Sequence, residues 1–107
     1  MNTEIKGIHL EVNDRIKDYV DKKMLRLEFA KDLIVDCLLN LSREKSLYHI
    51  EATVNFRWGN SVHVGVDGFD LLQGIDLLFD KLEAKVEKEK SKIKDHRKKE
   101  TARAAEE

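Results

Sequence analysis

Proline is missing from all 107 residues, cysteine occurs once and glycine five times. With no proline ring to stop a helix, helical segments end only where their apolar pattern or a turn residue ends them. The single cysteine, Cys37, excludes an internal disulfide, and its place in an apolar run marks it as a small buried hydrophobe rather than a reactive thiol. Long hydrophobic runs are also lacking. No window approaches the roughly 20 apolar residues that a membrane span needs, and Met1 to Lys6 offers neither the basic nor the apolar region of an export signal. These absences predict a cytoplasmic protein with no membrane partner. His9, His49, His63 and His96 are scattered, none at the i, i+4 spacing of a helical zinc site, so no metal is expected. There is no GxSxG, no glycine-rich phosphate loop and no Ser/His/Asp pattern, which predicts a non-enzyme without cofactor or small-molecule substrate. Asp76 and Asp80 stand one helical turn apart but read as surface or helix-start acids.

What is present bounds one domain. The chain is long enough for one hydrophobic core, and 41% hydrophobic residues is ordinary for a globular fold. Its net charge of −1 conceals an uneven distribution. Residues 1–80 carry ten Lys/Arg against 14 Asp/Glu, whereas residues 81–99 carry nine basic side chains against four acidic ones. The last eight residues return to a net −2. A partner senses such local fields more than the total.

Thr3 to Leu10 reads as a short strand. Asn13 is a good N-cap, Asp14 complements the helix dipole, and Ile16, Tyr19, Val20, Met24 and Leu27 recur at helical spacing, predicting a first helix from about Asp14 to Phe29. Leu33 to Leu41 alternates as a strand, with Leu33, Val35, Cys37, Leu39 and Leu41 expected on the core face. After a polar link, Arg43 to Ser46, the chain shows its clearest period-two pattern in Tyr48, Ile50, Ala52, Val54, Phe56 and Trp58. Gly59-Asn60 predicts a tight hairpin, and Val62, Val64 and Val66 continue the alternation in a fourth strand. Asp70 with Gln73 forms a capping-box pattern for a second helix, whose stripe of Leu72, Ile75, Leu78, Phe79, Leu82, Val86 and a late Ile93 thins as lysines become dense. Beyond about Lys88 this helix should leave the core, fraying into a short, acidic-ended, disordered tail over 100–107 that follows a domain of residues 1–99. The predicted class is α+β in the order β-α-β-β-β-α, a four-stranded sheet with two helices packed on one face, because each helix has a single stripe to bury.

The basic helix carries the functional signal. Lys81, Lys85 and Lys88, and likewise Lys88, Lys92 and Lys99, recur three, four or seven apart and stack on one side, where each like-charge contact costs a few tenths of a kcal/mol. A polyanion would relieve that repulsion. The alternation Val86-Glu87-Lys88-Glu89-Lys90 is equally that of a solvated helix held by i, i+4 pairs, so both explanations stay open on these residues alone. Helix one adds Arg15, Lys17, Lys22, Lys23 and Arg26, diluted by Asp14, Asp18 and Asp21. Two adjacent basic helices would form a cleft for phosphates, which favours shape-directed RNA binding over base reading.

Several runs resemble one family. Ile5-Lys6-Gly7, Glu11-Val12, Glu51-Ala52-Thr53, Asp70, and Gly74-Ile75-Asp76-Leu77-Leu78-Phe79-Asp80-Lys81-Leu82 followed by Lys88-Glu89-Lys90 resemble the short ribosome hibernation factors of bacteria. This is the group of hibernation-promoting factor and ribosome-associated inhibitor A, also known as sigma-54 modulation proteins. The resemblance spans nearly the whole chain and implies a fold similar to double-stranded RNA-binding domains. It further implies a protein that is monomeric off the ribosome and sits on the small subunit where messenger and transfer RNA would lie, excluding both under stress or in stationary phase. The family's basic contacts match Lys23, Arg26, Lys81, Lys88, Lys90 and Lys92; Lys22 and Lys85 join them as neighbours on the same helices. Departures are Gly74 for the usual alanine, Lys85 where glutamine is common, and Ala84 where a basic residue often sits. The resemblance is to the short form, so the separate C-terminal domain with which long forms pair ribosomes is not expected, and the sequence leaves open whether a helper protein lets this chain promote ribosome dimers. The competing reading is a protein-interaction module that uses the projecting end of helix two.

Overall fold

A computed structural model describes the backbone of residues 1–106 and the side chains of residues 1–92. Ile93, the basic residues beyond it, His96 and the expected fraying into the tail lie outside the described side chains. The elements are β1 (Asn2–Ile8), α1 (Asp14–Met24), a 3-10 helix (Leu25–Leu33), β2 (Ile34–Glu44), β3 (Leu47–Phe56), β4 (Ser61–Gly68) and α2 (Leu71–Glu106). The order is therefore β-α-β-β-β-α, as the patterning predicts. The strands lie side by side in sequence order, with β1 parallel to β2 and the other two pairings antiparallel. That single parallel pair is what the α1 crossover makes necessary.

Local chemistry explains the helix ends. Asn13 accepts a hydrogen bond from the Ile16 amide at 2.9 Å and starts α1. The α-helix stops at Met24, five residues short of the predicted end, and continues as a 3-10 helix. The sequence has its own reason for the change. Met24, Leu27, Ala30 and Leu33 recur every third residue, and only a helix of three residues per turn keeps all four toward the core. The same winding leaves Leu25 and Phe29 exposed. Asp70 accepts from the Gln73 amide at 3.1 Å and caps α2, one half of the expected box.

Both helices cover one sheet face. Ile16, Val20, Leu27, Cys37, Leu39, Ile50, Val54, Ile75, Leu78, Phe79, Leu82 and Val86 form the buried centre. Cys37 is fully buried there, and burial pushes its thiol up to about 12, so it stays a neutral hydrophobe. One face assignment changes. A bulge between Ile34 and Asp36 shifts the β2 register, so Ile34 enters the core and Val35, expected inside, is 48% exposed. Trp58 likewise lies beyond the end of β3 rather than within it. The opposite sheet face carries cross-strand polar pairs: Asn55 donates to Asp36 at 2.6 Å, Thr53 meets His63 at 3.0 Å, and His49 meets Asp67 at 2.5 Å. Among the described residues no polar or charged side chain is buried and no helix is long and apolar enough to cross a membrane.

Candidate nucleic-acid interface

The two helices meet along a polar ladder. Tyr19, Lys23 and Arg26 occur at i, i+4 and i+7 on the first helical segment, and Asp76, Asp80 and Glu83 repeat that spacing on α2. Asp76 Oδ1 accepts from the Tyr19 hydroxyl at 2.5 Å and pairs with Lys23 Nζ at 2.8 Å. Arg26 reaches two acids, Asp80 through Nη1 at 2.7 Å and Glu83 Oε2 through Nε at 2.8 Å and Nη2 at 2.5 Å. Protonation follows from these contacts. The hydrogen bond from Lys23, with that from Tyr19, holds Asp76 below the usual carboxylate range. Its carboxylate in turn raises Tyr19 and Lys23, and the bonds to Asp80 and Glu83 raise Arg26.

The ladder changes what the cleft between the helices can do. Lys23 and Arg26, expected to line a cationic groove, instead neutralise acids that looked like plain surface charge. The groove is bridged rather than open. Of the remaining expected RNA contacts, Lys85 Nζ donates to the His63 carbonyl of β4 at 3.1 Å, and Lys90 Nζ donates to the Phe29 carbonyl at 3.0 Å while lying 5.4 Å from the Phe29 ring centre. Lys92 leans on Glu89 at 3.4 Å. Lys22, Lys81 and Lys88 are exposed and form no ion pair or side-chain hydrogen bond among the described residues.

Geometry gathers four of these lysines on one flank. At about 100° per residue, Lys81, Lys85, Lys88 and Lys92 fall within roughly 60° of one another around α2. Asp76, Asp80 and Glu83 cluster on a different side, the one that faces α1. The contact of Lys85 with His63 puts the lysine flank over β4, away from the groove. A continuous cationic surface therefore exists, and it is the outer side of α2 rather than a cleft shared by two basic helices. Patterning missed this because spacing alone fixes which residues share a face, not which way that face points. The matched i, i+4, i+7 spacing of cations on one helix and acids on the other was the available signal for the ladder.

No group of three or more His, Cys, Asp or Glu residues suited to a metal occurs among the described residues. A recess of about 360 Å³ between β1 and α1 is lined by Thr3, Glu4, Ile5, Val12, Lys17 and Asp21.

Comparison with known proteins agrees in fold and sequence. Residues 3–94 match the family model described as Sigma 54 modulation protein / S30EA ribosomal protein. A ribosome hibernation promoting factor of Azotobacter vinelandii is 37% identical over 92 residues, covering 86% of this chain and 85% of that protein. The N-terminal domain of Protein Y from Thermus thermophilus superposes with a TM-score of 0.74 at 34% identity, over 82% of this chain and 98% of that one. A ribosomal subunit interface protein from Coxiella burnetii shares the fold, with a TM-score of 0.78 at 22% identity over 85% of this chain and 99% of that one.

Proposed function

The chain belongs to the Sigma 54 modulation protein / S30EA ribosomal protein family, and on that premise we propose that it is a ribosome hibernation factor of the small subunit. It acts in the cytoplasm, without catalysis, by occupying the channel of messenger and transfer RNA so that neither enters under stress or in stationary phase. It reaches that site as a monomer and contacts ribosomal RNA together with neighbouring ribosomal proteins.

The observation that carries this reading is the lysine flank of α2. Four like charges on one side of a helix repel each other, and a phosphate ridge converts that repulsion into attraction by releasing its counterions. Lys81, Lys88 and Lys92 meet phosphate directly, and Lys22 on α1 supplies a separate exposed cation. Lys23, Arg26, Lys85 and Lys90 serve the same surface by fixing α2 against α1, the 3-10 helix and β4. Rigidity matters because ordering costs are then met before binding rather than during it.

Cosedimentation with purified small subunits tests the proposal. The chain should travel with the subunit, and messenger with initiator transfer RNA should displace it. Binding that persists undiminished at saturating messenger and transfer RNA would remove the occlusion mechanism. A complex indifferent to salt would favour the protein-interaction reading, since a phosphate-driven one must weaken as counterions are added.

A further inference from the structure

One aromatic side chain stands partly exposed in the β3–β4 hairpin. Trp58 sits in the β3–β4 hairpin and stacks on Phe56, the ring centres 4.8 Å apart and the planes 17° from parallel. Phe56 is buried at the end of the core, whereas Trp58 is 38% exposed. One indole face is therefore backed by a fixed ring while part of the side chain meets solvent. Its Nε1–H makes no hydrogen bond among the described residues.

The loop beneath it is tightly held. The Arg57 amide donates to the Leu33 carbonyl at 3.0 Å, the Gly59 amide to the Phe56 carbonyl at 3.1 Å, and the Phe56 amide to the Asn60 carbonyl at 2.9 Å. Gly59 takes a φ of 90°, which a side chain would strain, and thereby closes the loop. Arg57 is exposed beside the indole.

The hairpin lies at the same end of the domain as the C-terminal part of the lysine flank. Lys85 is fixed over His63, three residues from the hairpin tip at Asn60, or about 10 Å along the strand. α2 runs antiparallel to β4, so Lys88 and Lys92 lie about 4.5 and 10 Å further along its axis toward that tip. Cations and a backed aromatic ring thus lie toward the same end of the domain. This combination takes single-stranded nucleic acid, whose phosphates meet the cations and whose unpaired bases lie flat on a ring.

Resting on the ribosome-binding reading above, we propose that Trp58 is a base-stacking platform for an unpaired nucleotide of the ribosomal RNA that the α2 lysines hold, with Arg57 meeting its phosphate. The alternative role of Trp58 is a lid that merely shields Phe56, and leucine would serve as well for that.

The experiment uses the full chain and purified small ribosomal subunits. Trp58 is the only tryptophan, so its emission reports this position alone and should be quenched as subunits saturate the protein. W58L, which keeps an apolar cover over Phe56, should bind about 5- to 150-fold more weakly, the usual range for one lost stacked base. W58F should bind close to the parent, and neither variant should change the slope of log affinity against log salt, because no phosphate contact is lost. Parental affinity in W58L, a reduced salt slope in W58L, or unaltered emission at saturation would each overturn the proposal. A blue shift without quenching would overturn it in favour of a ribosomal protein as the neighbour. If W58L fails to fold, the emission of the parent and the affinity of W58F still decide. A parent chain that ignores small subunits altogether would sink the proposed function itself, an outcome distinct from parental binding by W58L.

Discussion

Gly74 stands where the family resemblance implies alanine, and the packing around it predicts when alanine can be accommodated. It lies inside α2, where glycine costs up to ~1 kcal/mol relative to alanine through backbone entropy. Gly74→Ala on an isolated helix would therefore stabilise. Here a Cβ at residue 74 would come well inside van der Waals contact distance of Ile50 Cδ1, while the next atom, Ile50 Cγ1, would be 3.7 Å away at ordinary contact distance. Ile50 is fully buried on β3, so its terminal methyl has no solvent into which to swing. Overpacking of this kind costs about 1–3 kcal/mol, which cancels or outweighs the helix gain. Ile50→Val deletes the single conflicting atom at a cost of about 0.5–1.5 kcal/mol. In that background Gly74→Ala should stabilise by up to ~1 kcal/mol, giving a coupling between the two sites of about 1–3 kcal/mol. Urea unfolding of the four proteins measures it, with midpoints compared at constant slope. Equal stabilisation by Gly74→Ala in both backgrounds would refute the claim that the Ile50 methyl dictates the glycine.

Three further outcomes follow from the core and the ladder. Phe79→Asp places an unpaired carboxylate at the buried centre and should abolish cooperative melting followed by circular dichroism; a retained transition would contradict the core assignment. Arg26→Ala leaves Asp80 and Glu83 facing α1 without a counter-charge and should lower urea stability by about 1 kcal/mol, the partial exposure of the pair limiting the loss. Asp76→Asn should flatten the pH dependence at both extremes. The depressed Asp76 carboxyl contributes stability above its unfolded value near 4, lost as acid titrates through the lower folded value, while the raised Tyr19 and Lys23 contribute below about 10, lost as base titrates through their higher folded values. Thermal melts from pH 2 to 11 check this, and an unchanged acid limb in Asp76→Asn would refute it.

The elements were legible in the sequence because each signal was local. Period-two runs such as Ile50 to Phe56, the Asn13 and Asp70 caps and the Gly59 turn each depend on neighbouring residues alone. Where a local pattern admitted two geometries, spacing was insufficient. Met24 to Leu33 fits both 3.6 and 3.0 residues per turn over its short length, and contact with the core decides for the tighter helix. Val35 could be moved to the open face only by a bulge, which depends on pairing with β3. The candidate site was legible as a set of lysines but not as a surface, since Lys23 and Arg26 acquire their roles from acids some 50 residues away in the chain. Trp58 looked like the last residue of an alternating strand; its place in the hairpin and its stacking on Phe56 exist only in three dimensions.

The outward lysines of α2 are the centre of the account, and the salt dependence of binding to small subunits tests them most directly. Each phosphate contact contributes roughly 0.7–0.9 to the slope of log affinity against log salt. Replacing Lys81, Lys88 and Lys92 together by alanine should therefore lower the slope by about 2–3 and shrink the affinity lost between 50 and 200 mM salt by about 20- to 40-fold. The variant should keep the parental melting temperature, because these side chains pack against no core residue. An unchanged salt slope in the triple variant would contradict the assignment of this flank to ribosomal RNA.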